Sequence, residues 1–342
     1  MELPQRRSLR TAVLFLDVSG FTKLSEALAE KHGERGCQYV AQKLNQYFAL
    51  ILRLISRHGG DAFKFAGDAV LVLWPQSDNL AKVVHSAVQC ALRLQNELHD
   101  VDMGDARLSV KIGIGVGDIS VLLIGGHQSR REYVAVGAPL KQAFDCEHAA
   151  SPGETVVSSK AWPFVQEFFP DIVATKREGV VLSRDCKYTP VRATRAQLLK
   201  IARMVEEAAY DVSESVEKLQ TSLRNLIPHA IFNMLHEGFM HPDLRLETWA
   251  EEIRQVTVLF VNIGLEEADS LAAARYDDAV RRIQDIFTSI QKCIYQYEGS
   301  LNKFLKDDKG FTLIAIFGLA PIQHVDDGCR GTCVFDFSSV YI

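Results

Sequence analysis

The run "AVLFLDVSGFTKLSE", Ala12 to Glu26, decides how the chain is read. Val13 to Leu16 is a short apolar run of strand-forming residues, and it stops at Asp17. Gly20 then marks a turn, and Thr22 to Glu26 opens a helical pattern. A carboxylate at the tip of a core strand is costly unless something compensates its charge. The natural compensator is a metal ion.

Working outward, Thr11–Val18 reads as a strand and Thr22–Arg57 as helix, interrupted near His32-Gly33. Val40, Leu44, Tyr47, Phe48, Ile51, Leu52 and Ile55 recur at helical spacing and form one apolar face. The glycines of "HGG" (58–60) stand where a helix ends. "DAFKFAGDAVLVLW" (61–74) reads as two strands folded back through Ala66-Gly67-Asp68. A helix over about Asn79–His99 comes next, with Val83, Val84, Ala87, Ala91, Leu92 and Leu94 inward. "LSVKIGIGVGDISVLLIG" (108–125) reads as a hairpin around Gly117-Asp118. "REYVAVG" is a strand, Pro139–Ala149 a helix, and "ETVVSSKAW" a strand leading on. The order β-α-β-β-α-β-β-α-β predicts an α+β, ferredoxin-like plan, with helices on one side of a largely antiparallel sheet.

The pattern then repeats. "VTVLFVNIGLEEAD" (256–269) echoes the opening strand and turn, and "YEGSLNKFLKDDKGFTLIAIFG" (297–318) echoes the hairpin of residues 61–74. The expected layout is an N-terminal segment 1–10, a first copy 11–195, a helical connector 196–250 and a second copy 251–342. The second copy is incomplete: after "FGLAPIQHVDDGCRGTCVFDF" nothing matches "VKIGIGVGDIS" or the later strands and helix of the first copy.

In the first copy, Asp17 ends one strand and Asp68 sits in the turn between the next two. Antiparallel neighbours of this plan bring both to one end of the sheet. Two carboxylates with a backbone carbonyl make a hard oxygen site suited to Mg²⁺ or Mn²⁺. The amides of Val18 to Thr22 lead into a helix N-terminus, where N–H groups and the helix dipole can hold a polyphosphate. Two ions beside one phosphate support in-line displacement. Taken alone, Asp17 reads as a cap or turn residue. The combination with the glycine turn and "FAGDA" favours the metal site.

"FLDVSGFTKLSE", "GGDAFKFAGDAVLVLW" and "VKIGIGVGDIS" resemble the class III nucleotidyl cyclases. The tandem arrangement, with "NKFLKDDKG" in the second copy, resembles the bicarbonate-responsive soluble adenylyl cyclases. The resemblance covers about residues 11–160 and 250–337. It implies two cyclase domains paired head to tail, within one chain or between chains, with ATP at their interface. The 3′-hydroxyl attacks the α-phosphorus, giving cyclic AMP and pyrophosphate. It implies two metal ions held by Asp17, Asp68 and the Val18 carbonyl, and phosphates held by the turn Val18, Ser19, Gly20, Phe21 and Thr22. It also implies that Lys111 contacts the phosphates, that Lys303 helps read adenine, and that Lys64 belongs to a bicarbonate pocket. Taken alone, Lys111 reads as a solvated lysine and Lys303 as an ordinary strand lysine.

Three features qualify the resemblance: an asymmetry between the copies and two departures from the family pattern. Asn262 stands where Asp17 stands in the first copy, so the second copy lacks the charge a catalytic metal needs. Phe144 occupies the position of the arginine that pairs with Lys64 around bicarbonate, and the pocket loses a bidentate partner; Lys141 and Lys306 are candidate replacements. The later half of the second copy, which carries the remaining adenine contact, an asparagine and an arginine, has no counterpart. Loss of a transition-state donor of that kind typically lowers rate ~10²–10³-fold, so the chain is expected to be a truncated form with low activity alone.

The 342 residues are 47% hydrophobic and 24% charged, a normal globular balance. With a net charge of −5 the chain shows no basic groove for a template strand, so a polymerase-like reading, which shares the fold plan and two-metal logic, lacks support. The seven cysteines are scattered with no CxxC pair and read as reduced thiols. No signal peptide or membrane span is apparent, and a cytoplasmic protein is expected, free or peripheral to membranes or cytoskeleton. The competing functions are a guanylate cyclase and a catalytically weak regulatory or scaffold protein that keeps the cyclase fold.

Overall fold

The computed structural model describes residues 4–76, 79–169, 175–176, 179–183, 224–228, 231–232, 255–264, 276–307, 310–319 and 322–341. Most of the expected connector, 196–250, lies outside them.

The opening strand β1, Gln5–Ser19, is longer than the sequence pattern suggested. A left-handed glycine, Gly20, turns the chain into α1, Phe21–His32. A short 3₁₀ turn, Gly33–Arg35, separates α1 from α2, Gly36–Arg57, at the expected interruption. β2, Asp61–Ala66, and β3, Ala69–Pro75, form the expected hairpin through Gly67-Asp68. Then come α3, Leu80–Leu98, capped by the Asn79 side chain, and the short β4, Val101–Asp102. β5 is Arg107–Gly125, β6 Arg131–Val136, α4 Ala138–Ala149 and β7 Glu154–Ser158. Two further strands, β8 (Thr175–Lys176) and β9 (Gly179–Ser183), extend the edge. Among the described residues these strands make one sheet with the path β2-β3-β1-β5-β7-β9-β8, and β4 and β6 also pair with β5.

Two expectations are corrected. The stretch read as a hairpin around Gly117-Asp118 is a single 19-residue strand, β5. It pairs with β1 without a break from Gln5↔Leu123 to Ser19↔Ser109. Gly117 has φ +141, so a glycine absorbs the local distortion inside the strand while the long partner strand keeps the register. The helices also do not share one side. Ala12, Leu14, Leu16, Val70, Val72 and Trp74 face α1–α3, whereas Val13, Leu71 and Leu73 pack with Leu140, Ala143 and Phe144 of α4 on the opposite face. The continuous apolar run of β1, rather than an alternating one, is what a strand buried on both faces requires. Each fully buried aliphatic side chain there contributes about 1.5–3 kcal/mol.

The second copy shows β10, Thr257–Asn262, then α5, Tyr276–Gln296, the hairpin β11, Ser300–Asp307, and β12, Gly310–Phe317, and finally α6, Asp327–Tyr341. Among the described residues its sheet is β10-β12-β11. Its core is shared with the first copy: Phe287, Phe304, Leu313 and Phe317 cluster with Leu122, Ile124, Val134 and Val136 of the β5–β6 hairpin.

Candidate active site

Asp17 lies near the end of β1, between two antiparallel neighbours. Across one side it registers with Ala69, the residue after Asp68. Across the other it registers with Lys111. The fold therefore brings the two sequence-predicted carboxylates to one end of the sheet, because the β2–β3 turn ends level with the last residues of β1. Burial, and then the nearby charge of Asp17, hold the Asp68 carboxyl above its ordinary pKa. A half-buried pair of like charges is a site that a cation stabilises.

Behind Asp17, Val18 is buried and Ser19 completes the strand. Gly20 has φ +98, and a Cβ placed on it would sit 2.4 Å from the Arg107 carbonyl oxygen, so the turn admits only glycine without strain. Phe21 and Thr22 open α1, whose N-terminus has no side-chain cap and no acidic residue in its first turn. Its uncapped amides suit an anionic ligand.

Lys111 reaches toward Asp17, with Nζ 3.5 Å from Oδ2. Its nearest partner is Glu147 Oε1 on α4. Burial works against the Lys111 charge, but Glu147 and Asp17 more than offset it and its pKa lies above the ordinary lysine value. Glu147 is itself buried, which raises its pKa, with Lys111 opposing. Sequence reasoning missed Glu147. The signal was there: Leu140, Ala143, Phe144 and Glu147 follow the i, i+3, i+4, i+7 spacing of an apolar stripe, and a carboxylate in its last place is out of pattern.

Lys64 belongs to a different neighbourhood. Its ammonium donates to Glu132 Oε2 and the Tyr133 carbonyl, both at 2.8 Å, and to the Phe304 carbonyl of the second copy. Burial lowers its pKa and Glu132 counteracts this. Lys303 is half-buried, its pKa lowered by burial with Glu132 opposing. Among the described residues no ion pair or hydrogen bond links Lys303 to Asp17 or Asp68. Phe144 packs edge-on against Phe15 at 4.7 Å. It lines a cavity of about 20 Å³ at the seam, together with Lys64, Val134, Leu305 and Lys306.

In the second copy Asn262 registers with Thr312 of β12, as Asp17 does with Ala69 of β3, so an uncharged amide holds the strand position that Asp17 holds in the first copy. Asn262 Oδ1 accepts a hydrogen bond from the Gly264 amide at 2.8 Å.

The family described as "Adenylate and Guanylate cyclase catalytic domain" matches residues 3–184, the part of the chain that holds Asp17, Asp68 and Lys111. The chain belongs to this family. Over 365 aligned residues it is 25% identical to adenylate cyclase type 10 of Rattus norvegicus, covering 98% of this chain and 21% of that protein. It is 23% identical to adenylate cyclase type 10 of Homo sapiens, over 96% of this chain and 21% of that protein. The chain thus spans about a fifth of the length of these curated relatives. The crystal structure of the adenylyl cyclase CyaB from P. aeruginosa aligns with 55% of this chain and 97% of its own, at 22% identity and a TM-score of 0.41. Members of this cyclase family generally use divalent metal ions, and the donor set fits one: two carboxylates, hard oxygen ligands, whose charge only Lys111 offsets among the described residues nearby. Among the described residues no third acidic, histidine or cysteine side chain joins them, which leaves coordination positions for phosphate and water oxygens. No helix among the described residues is long and apolar enough to cross a membrane.

Proposed function

We propose that the chain is an adenylate cyclase, converting ATP to 3′,5′-cyclic AMP and pyrophosphate at a site built on the first copy and faced by the second. The observation that carries the reading is the convergence of Asp17 and Asp68 at one end of the sheet, beside an uncapped helix start. Asp17, Asp68 and the Val18 carbonyl would hold two Mg²⁺ or Mn²⁺ ions, whose chemistry is Lewis-acid neutralisation of charge on the reacting phosphates. The turn Val18, Ser19, Gly20, Phe21 and Thr22 presents amides to the triphosphate. Lys111 adds positive charge at the same sheet end. Lys303, on β11 of the second copy, is assigned to the adenine ring. Adenine rather than guanine is supported by Lys303 and by the likeness to type 10 adenylate cyclases.

Bicarbonate activation is not part of the proposal. The Lys64 donors are occupied by Glu132, Tyr133 and Phe304, and Phe144 brings a benzyl ring to the pocket instead of a donor. The test is to incubate the chain with Mn-ATP and with Mn-GTP, with and without bicarbonate, and to assay both cyclic nucleotides. The expected result is cyclic AMP formation that needs Asp68 and ignores bicarbonate. Cyclic GMP as the main product would transfer the assignment to a guanylate cyclase. Failure to form either product, with nucleotide binding unchanged by Asp68→Ala, would leave a cyclase-fold regulatory protein.

A further inference from the structure

Glu147 is a buried carboxylate that the proposed reaction does not use. It is 2% exposed, on the face of α4 that packs against β5. The approach is close because β5 has glycine there: a Cβ on Gly113 would meet the Glu147 amide nitrogen at 2.4 Å and the Ala143 carbonyl oxygen at 2.0 Å. Lys111 lies two residues before Gly113, on the same strand face. The groups facing the carboxylate are Lys111 on Oε1, His148 with Nε2 3.7 Å from Oε2, and, through space, Asp17.

The Lys111 ammonium is shared unequally. Its tight contact is to Glu147, and Asp17 is reached only at 3.5 Å. Had Glu147 been neutral, nothing on the α4 side would hold that charge back. The ammonium would close on Asp17 and occupy the oxygens a divalent cation needs. The opposite movement, away from Glu147, would strand a buried carboxylate, which is strongly unfavourable.

We infer that Glu147 is a positioning residue that draws the Lys111 ammonium off Asp17 and so keeps Asp17 open to a divalent cation. The inference rests on the metal-site reading of Asp17 and Asp68. It makes Glu147 the fourth charge of the site, beside Asp17, Asp68 and Lys111, acting through Lys111 and not on the substrate.

The experiment is titration of the full chain with Mn²⁺ alone, read by the loss of the free-ion electron paramagnetic resonance signal, which needs no turnover. Glu147→Gln keeps the shape and removes the charge. It should weaken Mn²⁺ binding roughly tenfold, the lower end of the range for outer partners of metal ligands. The double variant Lys111→Gln/Glu147→Gln should return affinity to the wild-type value or better, because no ammonium remains to block Asp17. Damage to packing would make the double variant worse, not better. Unchanged or tighter Mn²⁺ binding in folded Glu147→Gln, or no recovery in the double variant, overturns the inference. If wild-type binding is already insensitive to Asp68→Asn, the metal-site reading itself fails and the role of Glu147 falls with it. If Asp68→Asn abolishes binding but Glu147→Gln does not weaken it, only the role of Glu147 falls.

Discussion

Asp17 and Asp68 were legible because a charge at the end of an apolar run has few explanations, and the turn chemistry around each is distinctive. Their charge state gives a pH prediction. The Asp68 carboxyl holds its proton more tightly in the folded protein than in the unfolded chain, because burial and Asp17 both disfavour ionisation. Its contribution to stability is therefore present at low pH and lost as pH rises through the raised folded pKa. A divalent cation reverses this by favouring the carboxylate. Thermal melts should show a Mn²⁺-induced rise in Tm near pH 7 that shrinks as the medium is acidified toward that pKa, and Asp68→Asn should abolish the rise. Asp68→Ala should lower metal-dependent cyclic AMP formation by more than the ~10–100-fold typical of an outer-sphere partner. Glu147 was visible in the sequence only as a carboxylate out of place in an apolar stripe; its part in the site was not, since that depends on Lys111, thirty-six positions earlier. No local pattern couples those two; only the packing of α4 on β5 does.

At the scale of elements, the sequence pattern located the helices and the β2–β3 hairpin well, and the long strand poorly. Gly117-Asp118 is a common turn signal, but Asp118 instead pairs with Arg10 of β1, Nε to Oδ1 at 3.0 Å. The turn reading failed because the partner strand extends six residues before Thr11, through a stretch whose one apolar residue, Leu9, gives little strand signal. Two glycines test how elements position the site. Gly20→Ala forces a side chain into the Arg107 carbonyl at positive φ, and strain of this kind is about 1–3 kcal/mol. Urea denaturation should show that loss, and the KM for Mn-ATP should rise because the phosphate turn is displaced. Gly113→Ala drives a methyl into the backbone of α4 at Ala143 and Glu147. Overpacking of this sort typically destabilises by ~1–3 kcal/mol. Its particular signature should be weaker Mn²⁺ binding, since α4 carries Glu147 away from Lys111.

Over the whole molecule, the repeat was visible in the sequence but the way the copies join was not: beside the shared apolar core, polar groups of the first copy are met by helix α5 of the second. Gln284 accepts from the Gly125 amide at 2.9 Å and donates to the Gly125 carbonyl at 2.8 Å. Two turns later, Gln291 donates to the Arg130 carbonyl at 2.9 Å and accepts from the His127 amide at 3.3 Å. Beneath them Glu132 stands between two cations, Arg130 at 2.5 Å and Lys64 at 2.8 Å, and Lys64 also reaches the Phe304 carbonyl across the seam. A single buried carboxylate thus satisfies two cationic groups that have little access to water. Removing it leaves both uncompensated, and breaking a buried pair from one side is destabilising by about 3–5 kcal/mol. Glu132→Gln should therefore lower the urea midpoint more than any single change at the metal site. Replacing Glu132 together with one of its partners, Glu132→Met with Lys64→Met, leaves only Arg130 uncompensated instead of two cations and should be the milder change. An equal or larger loss in the double variant would mean that the ions join the copies through net attraction, and not that they are merely kept satisfied at a junction held by Phe287, Phe304 and the β5–β6 hairpin.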